Sequence, residues 1–181
     1  MTTSIPSLIS IPYSVFASPA ASILLPIGLG IGTSIFSGPI KRIYHAIKRP
    51  PLCPPTKVFG PAWTVLYGLM GYASHRVVTG PSFPLASADQ IGALYTVQLG
   101  VNIMWMPTFF GARRVDLAAA DVVMLTVLNG YLTYLYFSVD SLAGWCQVPY
   151  LIWLAFVTYL TTGIGFLNNW DISEVKLAKR A

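Results

Sequence analysis

The chain has 181 residues, 55% of them hydrophobic and only 9% charged, with a mean hydropathy of +0.64. Soluble domains carry roughly 25% charged residues, so this chain cannot cover itself with a water-facing surface, and lipid must solvate much of it. The net charge of +5 does not indicate nucleic acid, because the basic residues cap apolar runs and form no continuous stripe. Cys53 and Cys146 are the two cysteines, too few for a disulfide scaffold.

Residues 1–20, MTTSIPSLISIPYSVFASPA, hold no Lys or Arg. Neither a secretory signal with a basic n-region nor an arginine-bearing mitochondrial presequence is read there. The expectation is a weakly ordered lead-in over 1–20, one transmembrane domain over 21–170 and a basic tail over 171–181.

Five apolar runs follow in chain order, at 21–40, 59–78, 91–110, 115–137 and 145–167. Each can cross a hydrocarbon core of about 30 Å, which takes about 20 helical residues. None alternates as a barrel strand would, and a helix satisfies every backbone group within itself in lipid. The predicted fold is therefore an all-α membrane protein, a single bundle of five transmembrane helices. Ten of the eleven basic residues fall on one face of that topology, with Arg76 alone near the other. The positive-inside rule puts the basic face and the C-terminus in the cytosol. Cys53 and Cys146 then lie on opposite faces and should not pair.

In the first span Gly28 with Gly32 and Ser34 with Gly38 have close-packing spacing, as do Gly68, Gly71 and Ala73 in the second. Such residues let helix backbones approach, within the bundle or between two copies in a homodimer. The connection 41–58 carries Pro50, Pro51, Pro54 and Pro55, and Gly60-Pro61 is expected to open the second helix with Trp63 on its first turn. The closing Arg76 is expected to snorkel to water.

The third span puts Gln98, Asn102 and Trp105 on one helical face. Amides at membrane depth either bond a neighbouring helix or line a pocket. Pro107 frees the carbonyl of Ile103 and should bend the helix. In the fourth span Asp121 is expected to pair with Arg113, Arg114 or a loop amide, and Asn129 to contact another helix. Trp145 and Trp170 fit an interfacial belt, as Trp63 does also. Trp105 and Trp153 lie deeper and suit a broad flat ligand.

No HExxH, CxxC, Walker loop or nucleophile elbow occurs. His45 and His75 fall on opposite faces and cannot share a metal. Composition and motifs thus favour a binding protein over an enzyme, with no obligatory cofactor.

The stretches KRPPLCPPTKVFGPAWTVLYGLMGYASH (48–75), QLGVNIMWMPTFFGAR (98–113) and PYLIWLAFVTYL (149–160) resemble, in order, the signature of the translocator protein family, also called TspO/MBR. The resemblance implies a five-helix membrane bundle whose pocket binds porphyrins such as protoporphyrin IX or haem, and also sterols and synthetic drugs. By position it implies pocket roles for Tyr44, Trp63, Asn102 and Trp153, with Ala120, Met124, Val157 and Leu160 as apolar contacts. Departures are Leu52 and Ile43, where the family often has Trp, and Thr161-Thr162, where its animal members carry an Asn-Tyr pair used for sterols. The implied function is a receptor or carrier of a tetrapyrrole; of the membranes that hold such proteins, the mitochondrial outer membrane is expected ahead of the secretory membranes. A stress-regulated adaptor, or tryptophan-dependent photo-oxidative breakdown of the porphyrin, are the alternatives.

Overall fold

The computed structural model describes residues 10–36, 40–80 and 88–173. They form α1 (Tyr13–Ala17), α2 (Pro19–Phe36), α3 (Ile40–Ala46), α4 (Thr56–Thr79), α5 (Ala88–Met106), a π-helical turn (Pro107–Gly111), α6 (Val115–Val139) and α7 (Ser141–Leu167). No strand occurs among the described residues, only one isolated bridge between Arg114 and Asp171. The fold is all-α, and its long helices α2, α4, α5, α6 and α7 follow the five apolar runs.

Taken singly, α6 and α7 are long and apolar enough to cross a membrane, and α2 with α3 makes a bent third. Among the described residues, length and composition alone thus identify two or three spans. Helices α4 and α5 fall short because α4 is rich in glycine, tyrosine and other weakly apolar residues, and α5 carries Asp89, Gln98 and Asn102.

The ends of the helices differ from the sequence reading for local reasons. Helix α4 starts at Thr56, because Pro55 already sets the extended entry at φ −65° and ψ 151°. Pro61 is therefore inside the second turn, not at its opening. It costs only the bond to Lys57 carbonyl, and Trp63 sits deeper than a first-turn residue. Helix α7 starts before Trp145 because Asp140 caps it, accepting from the backbone N–H groups of Leu142 at 2.8 Å and Ala143 at 3.3 Å. Pro107 does perturb its helix as expected. The chain widens into a π turn closed by Ala112 N–H donating to Pro107 carbonyl at 2.8 Å.

From residue 10 the lead-in is ordered rather than loose. Phe16 of α1 is buried against Tyr95. His75 Nδ1 meets the Phe16 carbonyl at 2.5 Å, and Ile11 N–H donates to Thr96 Oγ1 at 2.9 Å. Residues 1–9, and the Lys176, Lys179 and Arg180 of the expected tail, lie outside the described residues.

Helices α2 and α4 meet where Pro26 releases the carbonyl of Ser22, four residues earlier. That carbonyl is the nearest atom to the position a Cβ on Gly71 would take, so glycine is required there for the backbones to approach. Gly68 meets Ile23 and Ile27, whereas Gly28 and Gly32 face open space. Gly68 and Gly71 of α4 and Gly30 of α2, which meets the Tyr67 ring, therefore serve packing inside the bundle, and Gly28 and Gly32 do not.

Charges sit at the helix ends. Arg76 is not a free snorkelling cation: it pairs with Asp140 at 2.6 Å and lies over the Tyr72 ring. Asp121 does not pair with either expected arginine. Arg114 forks onto Asp116 at 2.9 and 2.6 Å, Arg113 donates to Ser173 carbonyl, and Asp121 Oδ2 has no hydrogen-bond partner among the described residues. Asp116 wins because it lies two residues from Arg114, whereas Asp121 is almost two turns away. Both cysteines are free.

Candidate functional site

Two apolar clusters build the core. One surrounds Met70, Tyr95, Leu99, Leu132 and Tyr150. The other, nearer the basic end, surrounds Ile43, Tyr44, Phe109, Phe110, Val115 and Ile164. Between them lies a cavity of about 360 Å³, within the size range of small-molecule sites. Tyr44, Phe59, Trp63, Tyr67 and Trp105 give it an aromatic wall, and Val122, Leu125, Leu154, Val157 and Leu160 an aliphatic one.

Asn102 holds the polar end. Tyr67 donates its hydroxyl to Asn102 Oδ1 at 2.5 Å, and Asn102 Nδ2 donates to the Tyr150 hydroxyl at 2.7 Å. Three helices are thereby joined through one amide at the cavity surface. Gln98, one turn away, takes the other fate of a buried amide and does not line the cavity. Its Nε2 donates to Met70 Sδ at 3.2 Å, and its Oε1 accepts from Asn129 Nδ2 at 3.2 Å. Asn129 Oδ1 in turn accepts from Gln147 Nε2 at 2.9 Å, so these three amides bind helices together.

The rings around Trp63 and Phe59 meet mostly edge to face. Trp63 lies 6.2 Å from Tyr150 and 6.3 Å from Trp153, and Phe59 bridges Tyr44 at 5.7 Å and Trp153 at 6.0 Å. Trp105 stacks on Phe109 at 5.0 Å with 21° between planes. The indole N–H groups of Trp105 and Trp153 are buried without a hydrogen-bond partner among the described residues.

The connection between α3 and α4 closes the basic end. Tyr44 donates its hydroxyl to Pro54 carbonyl at 2.5 Å, and Tyr159 donates to Pro51 carbonyl at 2.9 Å. Lys48 and Asn168 exchange a backbone–side-chain pair at 3.1 and 2.8 Å, and Pro50 packs on Gly163. Leu52, between these anchors, sits at φ 64° and is 83% exposed. It points away from the cavity.

Of the residues read from the sequence, Tyr44, Trp63, Asn102, Trp105, Val157 and Leu160 line the cavity together. Trp153 stands behind Trp63 and does not line it. Ala120 and Met124 lie on the outward face of α6, Met124 being 49% exposed. At 100° per residue the inward stripe of α6 runs through Ala118, Val122 and Leu125 instead. Phe59, Tyr67, Phe109 and Phe110 were missing from the sequence reading. The four-residue step from Trp63 to Tyr67 was the available signal for one of them.

The profile of the TspO/MBR family matches residues 22–167. The chain belongs to the TspO/MBR family. It is 37% identical over 163 residues to a translocator protein homolog of Schizosaccharomyces pombe, covering 86% of this chain and 98% of that one. It is 37% identical over 145 residues to the translocator protein of Homo sapiens, covering 78% and 85%. A tryptophan-rich sensory protein of Cereibacter sphaeroides is 36% identical over 136 residues, covering 74% and 80%. Membership in TspO/MBR and the apolar helices make this an integral membrane protein.

Proposed function

We propose that the protein is a membrane receptor or carrier that holds a tetrapyrrole, protoporphyrin IX or haem, in the cavity between its helices. In this reading all five long helices cross the bilayer, the C-terminus is cytosolic, and the membrane is the mitochondrial outer membrane. Sterols and flat drug-like molecules are secondary ligands of the same cavity.

The observation that carries the reading is the aromatic wall formed by Tyr44, Phe59, Trp63, Tyr67 and Trp105. A flat macrocycle buries large apolar area against such rings and gains their edge and face contacts. The basic end supplies charge complementarity: Lys41 lines the cavity, and Arg49 lies 5.0 Å over the Tyr44 ring. Propionate groups directed there meet cations, while Asn102 sits at the opposite, buried end. The outward face of α6, with Met124, Val127 and Tyr131 exposed, is assigned to lipid or to a second copy of the chain.

Titration of the detergent-solubilised protein with protoporphyrin IX in the dark, followed by absorbance, tests this. A saturable shift at one porphyrin per chain is expected. A change that grows linearly with porphyrin indicates partitioning into detergent and removes the proposal.

A further inference from the structure

The rim of the cavity is exposed on one side only. Every lining residue from α6 and α7 is buried, and so is Asn102 of α5. The exposed lining residues are Ile31, Ser34 and Lys41 from α2 and α3, and Gly60 and Thr64 from α4.

The packing of α2 on α4 explains the gap. The two helices run antiparallel, with Ser22 at Gly71, Ile27 at Gly68 and Gly30 against the Tyr67 ring. The same register continued toward the basic end puts Ile31 across from Thr64 and Ser34 across from Gly60. At that end a Cβ on Gly60 would meet nothing within 4 Å, and Ile31, Ser34 and Thr64 are exposed.

Apart from Lys41 at the basic end, the chemistry of the rim suits hydrocarbon. Thr64 Oγ1 donates to Gly60 carbonyl at 2.9 Å and Ser34 Oγ to Ile31 carbonyl at 3.0 Å. These hydroxyls spend their protons on their own helix, as polar side chains in lipid do. The water-facing end is meanwhile held shut by the Lys48–Asn168 pair and the Tyr159 contact.

We infer that the cavity is entered from the bilayer, through the gap between α2 and α4, and that lipid acyl chains occupy this entrance. The inference rests on the cavity being the ligand site for its consequence, that ligands arrive from the membrane. The entrance itself can be tested without any porphyrin.

The test reconstitutes the full chain in phosphatidylcholine vesicles containing a phosphatidylcholine with a diazirine in its acyl chain. After illumination, adducts are mapped by mass spectrometry. Adducts on the interior residues Tyr67 and Trp105 are expected in addition to those on outward Val127 and Tyr131. Thr64→Phe, which narrows the gap from an exposed position, should lower the interior adducts several-fold and leave the outward ones unchanged. Ile31→Ala should raise them, so the inference does not depend on one variant folding. Outward adducts alone in the unsubstituted protein, or interior adducts that neither substitution moves, would overturn it. Failure of porphyrin to bind would leave these adducts as they are and would count only against the ligand assignment.

Discussion

Trp63 and Trp153 meet edge to face with ring centroids 6.3 Å apart and planes at 87°, yet only Trp63 reaches the cavity. The pair is a wall residue and its support, so the two should respond differently to substitution. Trp153→Leu removes a packed ring and should lower stability by about 2–3 kcal/mol, since large-to-small core changes cost about 2–5 kcal/mol. Its effect on porphyrin affinity should be the smaller of the two. Thermal unfolding in detergent, beside binding on the same samples, separates the roles.

The Asn102 amide gives a second prediction. Asn102→Leu strands the hydroxyls of Tyr67 and Tyr150, and an unsatisfied buried group costs about 1–3 kcal/mol. Removing one stranded hydroxyl as well, in Asn102→Leu with Tyr67→Phe, should recover part of the loss. A double variant no more stable than the single one would mean that the amide is not what holds these helices.

Glycines of the same type should also divide. Gly71→Ala drives a Cβ into the Ser22 carbonyl, and overpacking of this kind costs about 1–3 kcal/mol. Gly32→Ala meets open space and should be neutral or stabilising by up to about 1 kcal/mol, the helix-propensity difference. Melting temperatures of the two variants decide it.

Asp140 supplies a pH prediction. Its burial raises the carboxyl pKa, but Arg76 and the Ala143 and Leu142 backbone N–H groups outweigh that and hold it below its ordinary value. A depressed folded-state pKa means stability that is present above the unfolded value of about 3.9 and lost as pH falls through the folded value. The melting temperature should therefore drop below about pH 4, and less so in Asp140→Asn, which keeps a capping oxygen but has no charge to lose. Identical acid profiles would exclude the Arg76 pair as a source of stability.

The helical runs and the deep aromatic residues were legible because hydrophobic length and i, i+4 spacing act locally. Pro107 could be read for the same reason, since a missing N–H perturbs its own turn. What the sequence could not convey was rotation and depth. Ala120 and Met124 differ from Val122 and Leu125 only by which way α6 is turned, and that is decided by its packing on α7. Trp153 stands behind the wall because Trp63 and Phe59 lie in front of it, an order no spacing encodes. The Asp121 reading failed because proximity in sequence to two arginines said nothing of Asp116, which reaches Arg114 first.

The most direct test compares Trp63→Leu with Met124→Ala in one titration against protoporphyrin IX in the dark. Trp63 faces the cavity and Met124 faces outward, so the first should weaken binding by about tenfold, roughly 1.4 kcal/mol, and the second not at all. Unchanged affinity in Trp63→Leu with weakened affinity in Met124→Ala would place the ligand on the outer face of α6 and contradict the cavity as its site.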